Sequence, residues 1–66
     1  MQLTVNGEPV QLSDIGTVGE LLDYFRVTHQ AVAVMANGEI VAREAFRSFP
    51  IKPGDSVEII RFVGGG

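Results

Sequence analysis

The chain contains no cysteine, one lysine (Lys52) and one histidine (His29). Without cysteine, neither a disulfide framework nor a thiolate-ligated metal can support the fold. A lone imidazole with no cysteine or second histidine beside it makes a poor metal site, so His29 reads as a surface or capping residue. The longest strongly apolar run, Ala31-Val32-Ala33-Val34-Met35-Ala36, falls far short of the ~20 residues that cross a bilayer. Residues 1–15 carry neither a basic leader nor a long apolar core, so no signal peptide and no membrane partner are expected. The lack of cysteine fits the cytosol, and the expected location is cytoplasmic.

A clustered basic surface is also missing. Arg26, Arg43, Arg47, Lys52 and Arg61 are scattered among eight acids, for a net charge of −3. Phosphate backbones want a concentrated cationic footprint, so nucleic acid is excluded as a partner, whereas a basic protein surface would attract this chain. Gly7, Gly16, Gly19, Gly38 and Gly54 are dispersed and never form a phosphate-binding loop followed by Lys and Ser or Thr. Asp14 and Asp55 sit in turn-forming sequence, where carboxylates bond to backbone amides. With Glu58 they make no case for paired acids, because so short a chain has no buried cleft to raise a pKa. Catalysis by the chain itself and a resident cofactor are therefore not expected.

What remains is dense apolar content, 45% of 66 residues. That suits one small core, in a domain that buries roughly 60% of its extended-chain surface. Met1 to Val5 alternates as a strand, Asn6-Gly7 signals a tight hairpin, and the return strand runs through Val10 and Leu12. Pro9 cannot donate a ladder hydrogen bond, which assigns the return strand to a sheet edge. Thr17-Val18-Gly19-Glu20 has the spacing of a capping box, with a helix from Val18 to about Phe25. Val18, Leu21, Leu22 and Phe25 make its apolar stripe, while Glu20 and Asp23 face water. Gly19 weakens the first turn but permits close packing. Tyr24 is expected on the helix flank.

A second hairpin follows, Ala31–Ala36 and Glu39–Val41 around Asn37-Gly38. Arg43 to Phe49 lacks a strand period and reads as a short helical turn and a loop, with Phe46 and Phe49 sealing the lower core. Lys52-Pro53-Gly54-Asp55 is compatible with a type II turn launching a last strand, Ser56–Val63. That strand belongs at the sheet centre, parallel to the first. Period two assigns Val57 and Ile59 to the helix-covered side and sends Glu58, Ile60 and Phe62 to the uncovered side, where Ile60 and Phe62 become candidate docking residues. Arg43 and Arg61 are candidates to meet a partner's acids, each with an equally simple solubility role. After the strand come Gly64-Gly65-Gly66, expected to form a thin, flexible tail able to thread a narrow channel.

Hairpin, helix, hairpin, irregular crossing and central last strand make up the β-grasp, or ubiquitin-like, order. The expected fold is α+β, a mixed five-strand sheet with one main helix on one face. Residues 1–63 would form the domain and 64–66 the tail. The chain resembles the thiamine-biosynthesis sulfur carrier proteins over its whole length. The resemblance runs through Thr17-Val18-Gly19-Glu20-Leu21-Leu22 and Ala36-Asn37-Gly38-Glu39-Ile40-Val41-Ala42-Arg43-Glu44. It is strongest from Gly54-Asp55-Ser56-Val57-Glu58 through Ile59-Ile60-Arg61-Phe62-Val63 to Gly64-Gly65-Gly66.

The resemblance implies that Gly66 is the acceptor of adenylate and then of sulfur as a thiocarboxylate, with Gly65 its partner in the diglycine and Gly64 before them. It also implies that an ATP-dependent adenylating enzyme, a sulfur-transfer enzyme and thiazole synthase are the partners of a chain that is monomeric when free. Ile60, Phe62 and Arg61 are the residues for docking. Two other functions share these features: a sulfur carrier for molybdenum cofactor synthesis, and a ubiquitin-like modifier or binding module.

Overall fold

A computed structural model describes residues 1–29 and 31–61. In chain order it holds β1 (Gln2–Val5), β2 (Glu8–Gln11), α1 (Val18–Tyr24), β3 (Ala31–Ala36), β4 (Glu39–Val41), a single 3₁₀ turn (Arg43–Ala45) and β5 (Ser56–Arg61). The strands form one mixed sheet in the order β2-β1-β5-β3-β4. β5 is central, parallel to β1 and antiparallel to β3, as its position after the irregular crossing required. The expected strand end, Phe62 and Val63, and the glycines at 64–66 lie outside the described residues.

Both Asn-Gly pairs turn the chain in two residues. Asn6 and Gly7 have φ of 52° and 83°, and Asn37 and Gly38 have φ of 51° and 85°. Left-handed backbone at both central positions is what a type I′ hairpin demands, and Asn and Gly tolerate it best. Val5 opposite Glu8 closes the first turn, so the next pair, Thr4 and Pro9, falls at a site without hydrogen bonds between the two strands. The Pro9 ring nitrogen therefore faces out from the sheet. Proline removes a donor from the free edge where another strand could add, without a lost bond inside the hairpin.

Helix α1 is capped at Thr17, whose Oγ1 accepts from Glu20 N at 3.2 Å. The reciprocal half of the expected capping box is displaced by one residue. The Glu20 carboxylate accepts from Gly16 N at 2.6 Å, next to an antiparallel bridge between Thr17 and Pro50 whose bonds are Val18 N to Phe49 O and Ile51 N to Gly16 O. Val18, Leu21 and Leu22 are fully buried and meet Leu3, Val34 and Val57 from the sheet. Phe25, expected in the core, is the C-cap residue and only partly buried. At the helix end the chain turns away, with Arg26 at φ 60°, and the ring packs on the core margin edge-to-face with Tyr24, 5.1 Å between centroids. The lower core is closed by Phe46, which is buried, and Phe49, which is partly so. Gly54, at φ 88° after Pro53, gives the type II turn, closed by Asp55 N donating to Lys52 O at 3.1 Å.

Candidate functional site

The central strand has two unlike faces. Val57 and Ile59 are buried under the helix layer, and Glu58 and Ile60 are exposed on the other face. The register brings neighbours to that open face: Met35 lies opposite both Glu58 on β5 and Ile40 on β4, and Ala33 lies opposite Ile60. Ile40 is 76% exposed and Ile60 49%, and it is a contiguous exposed apolar patch, rather than either side chain alone, that is informative. Ile60, Ala33, Met35 and Ile40 thus form one apolar stretch across three strands, with Glu58 beside Met35 on the same face. Sequence reasoning found Ile60 but passed over Met35 and Ile40. The signal was present: a two-residue turn at Asn37-Gly38 fixes Met35 opposite Ile40 once the parity of β5 is known.

Arg61, grouped with Ile60 for docking, is placed elsewhere. It lines a groove of about 240 Å³ on the helix side, with Val5, Val10, Phe25, Val27 and Ile59. Ile60 and Arg61 therefore present to opposite sides of the sheet, the ordinary result of strand alternation. Phe62, Gly64, Gly65 and Gly66 lie outside the described residues. Arg43, offered as a contact for a partner's acids, donates from Nη2 to the Ala31 carbonyl at 3.0 Å, so it ties the 3₁₀ turn to the start of β3.

The central strand is held at both flanks by asparagine side chains. Asn37 Oδ1 accepts from Ser56 N at 2.9 Å, and Asn37 Nδ2 donates to Asp55 Oδ1 at 3.1 Å. Asn6 Oδ1 accepts from Ile59 N at 2.7 Å. The Asp55 carboxylate lies below its ordinary range because it accepts the Lys52 backbone N–H, at 2.8 Å, and the Asn37 amide. Asp14, expected to bond its carboxylate to backbone amides in the same way, makes no such bond among the described residues; it occupies left-handed backbone at φ 63°. His29 is exposed beside the pair formed by Asp23 and Arg47, 2.7 Å apart, with Thr28 also donating to Asp23 at 2.5 Å. The Asp23 carboxyl is held down first by the Arg47 hydrogen bond and then by that of Thr28. No cluster of three metal-ligating side chains occurs among the described residues, and no described helix is long and apolar enough to cross a membrane.

The open apolar sheet face thus includes Ile60 of the strand that precedes the final glycines in sequence. A family model described as the ThiS family matches residues 3–66. The chain is 35% identical to the sulfur carrier protein ThiS of Bacillus subtilis, over 97% of this chain and 98% of that protein. It is 39% identical over its whole length to a thiazole synthase of Paramagnetospirillum magneticum, of which it spans 20%. The crystal structure of the thiamine biosynthesis protein ThiS from Geobacter metallireducens superposes with a TM-score of 0.81 at 43% identity, covering both chains completely. At that identity and coverage the mixed sheet with its single helix is the β-grasp of these proteins, and the chain belongs to the ThiS family.

Proposed function

We propose that this chain is the sulfur carrier of thiamine biosynthesis, a cosubstrate that other enzymes act on rather than a catalyst. The match to a sulfur carrier protein along nearly the full length of both chains carries this reading. The thiamine branch is favoured over molybdenum cofactor synthesis because a thiazole synthase and a thiamine biosynthesis protein stand among the relatives. A modifier or a plain binding module has no such support.

A carboxylate is a poor electrophile, because its leaving group would be oxide. In the proposed sequence an ATP-dependent adenylating enzyme joins the Gly66 carboxylate to the α-phosphate of ATP, expelling pyrophosphate. That partner's cations stabilise the transferring group. A sulfur nucleophile at the sulfide level, supplied by a sulfur-transfer enzyme, then attacks the acyl carbon and expels AMP, leaving a thiocarboxylate for thiazole synthase. Gly64 and Gly65 suit this role because a β-carbon there would widen every channel through which the acyl group must pass. Ordering each glycine costs about 1–2 kcal/mol, to be offset by contacts elsewhere. The open face with Ile60, Met35 and Ile40 supplies such contacts.

Free in the cytoplasm, the chain is proposed to be monomeric. The outward Pro9 on one sheet edge and the three-residue β4 at the other disfavour edge pairing. The test is intact mass after incubation with the adenylating enzyme, ATP and a sulfur source. A gain of ~16 Da on the terminal peptide, one oxygen replaced by sulfur, is the expected result. An unchanged mass with an enzyme active on another carrier overturns the reading.

A further inference from the structure

We propose that Asn6 is a positioning residue for the carrier tail, holding the exit of the central strand so that the docking face and the acyl-bearing terminus reach the activating enzyme in register. The inference rests on the sulfur-carrier reading. Its basis is where the backbone ladder stops. On the β1 flank, β5 is paired only at Thr4 with Ser56 and Val5 with Val57, and Asn6 N adds one more bond, to Val57 O at 2.9 Å. In a parallel ladder that continued, the next donor of β5, Ile59 N, would meet a backbone carbonyl of β1. Asn6 instead enters the hairpin turn at φ 52°. Its side-chain Oδ1 accepts the Ile59 N–H, at 2.7 Å in a partly buried setting, across 53 residues of sequence.

The other flank is less regular at the same place. β3 pairs Ala33 with Ile60 and Ala31 with Arg61, with a register shift between them. Among the described residues, Ile59 is thus the last point of β5 held by Asn6 at the end of β1, one residue before Ile60 on the open face and seven before Gly66. A segment loosened there must be re-ordered each time a partner binds, and that ordering subtracts from affinity. The bonding of Asn6 is repeated by Asn37, which donates its N–H to Ser56 O at 2.7 Å and accepts Ser56 N–H on Oδ1 at 2.9 Å. Asn37 clamps the beginning of β5, far along the strand from the tail. Two residues of the same type, in two turns of the same kind and with the same kind of bond, therefore differ in which end of the strand they hold.

The experiment compares Asn6→Gly with Asn37→Gly, since glycine keeps the left-handed turn and removes the side-chain acceptor, together with the Asn37 donor to Asp55 in the second variant. Steady-state adenylation by the ATP-dependent activating enzyme is read with hydrogen exchange at the Ile59 amide. Asn6→Gly should raise KM for the carrier about five- to tenfold, leave kcat within about twofold, and speed Ile59 exchange by a similar five- to tenfold, the scale of one net hydrogen bond. Asn37→Gly should do neither, and Asn6→Asp, which keeps an acceptor oxygen and tolerates the turn, should restore KM. Equal KM for the two glycine variants overturns the proposal. Free exchange of the Ile59 amide in the unaltered protein also overturns it, and that measurement needs no variant to fold. Failure of the unaltered chain to be adenylated at all is a different result, because it removes the carrier reading itself.

Discussion

Gly19 of the helix lies directly against Arg47: a β-carbon built on it would stand 2.7 Å from Arg47 Cδ and 3.2 Å from Arg47 Cα. Gly19 N also donates to the Phe46 carbonyl at 2.7 Å, so the first turn of α1 is pressed onto the loop after the 3₁₀ turn. Helix propensity alone would make Gly19→Ala stabilising by about 1 kcal/mol. Overpacking costs ~1–3 kcal/mol when backbone must yield, and here the Arg47 Cα must. We expect Gly19→Ala to lower stability by about 1 kcal/mol in denaturant unfolding. A gain in stability would show that Arg47 swings aside freely.

The two faces of β5 should respond differently to truncation. Ile59, 8% exposed, packs with the fully buried Val34, Leu21 and Val57 in one core. Ile59→Ala should cost ~2–4 kcal/mol through lost burial and a residual cavity. Ile60→Ala, on the open face, should cost under about 1 kcal/mol. Binding to the adenylating enzyme, followed calorimetrically, should reverse the order among folded variants. Ile60→Ala and Ile40→Ala are each expected to weaken it by ~1–3 kcal/mol.

Deletion of Gly66 should abolish adenylation and leave the unfolding midpoint unchanged, since the proposed acceptor is the terminal carboxylate and the described core ends before it. Activity retained by residues 1–65 would remove Gly66 from the mechanism. Replacing Gly65 by Val should slow adenylation with little loss of stability, because a branched β-carbon narrows the backbone angles and widens the tail.

The pH dependence of stability should carry the mark of Asp55. Its carboxyl is held below its ordinary value of 3.8, foremost by the Lys52 N–H. A folded pKa below the unfolded one gives stabilisation that is complete above the unfolded value and lost as pH falls through the folded value. Asp23 acts in the same direction, but its pair with Arg47 is exposed and screened by solvent. The unfolding midpoint should therefore be level from neutrality to about pH 5 and fall below about pH 4. Asp55→Asn should make that acid decline shallower; an unaltered slope would assign it to other carboxylates.

Local patterns determined most of this protein. The Asn-Gly pairs, Thr17 before the helix, Pro53-Gly54 and the alternation of the strands made the element order legible, because each acts over a few bonds of backbone. Parity along β5 was enough to separate Ile59 from Ile60, and a proline in β2 was enough to identify an edge. Tertiary structure decided what depends on approach between distant segments. Asn6 and Asn37 read as turn residues, yet their side chains hold Ile59 and Ser56, which no spacing within a hairpin can disclose. Phe25 continues the helical stripe in sequence but reaches only the core margin, because α1 ends at Tyr24 and the chain turns away. The Glu20 carboxylate meets Gly16 N, one residue before the position the capping-box spacing indicates, and the bridge between Thr17 and Pro50 joins segments 33 residues apart. Met35 and Ile40 joined Ile60 only when β3 took its place beside β5. Local sequence sets turns and periods through short-range sterics, whereas which strands become neighbours is settled by burying one shared core.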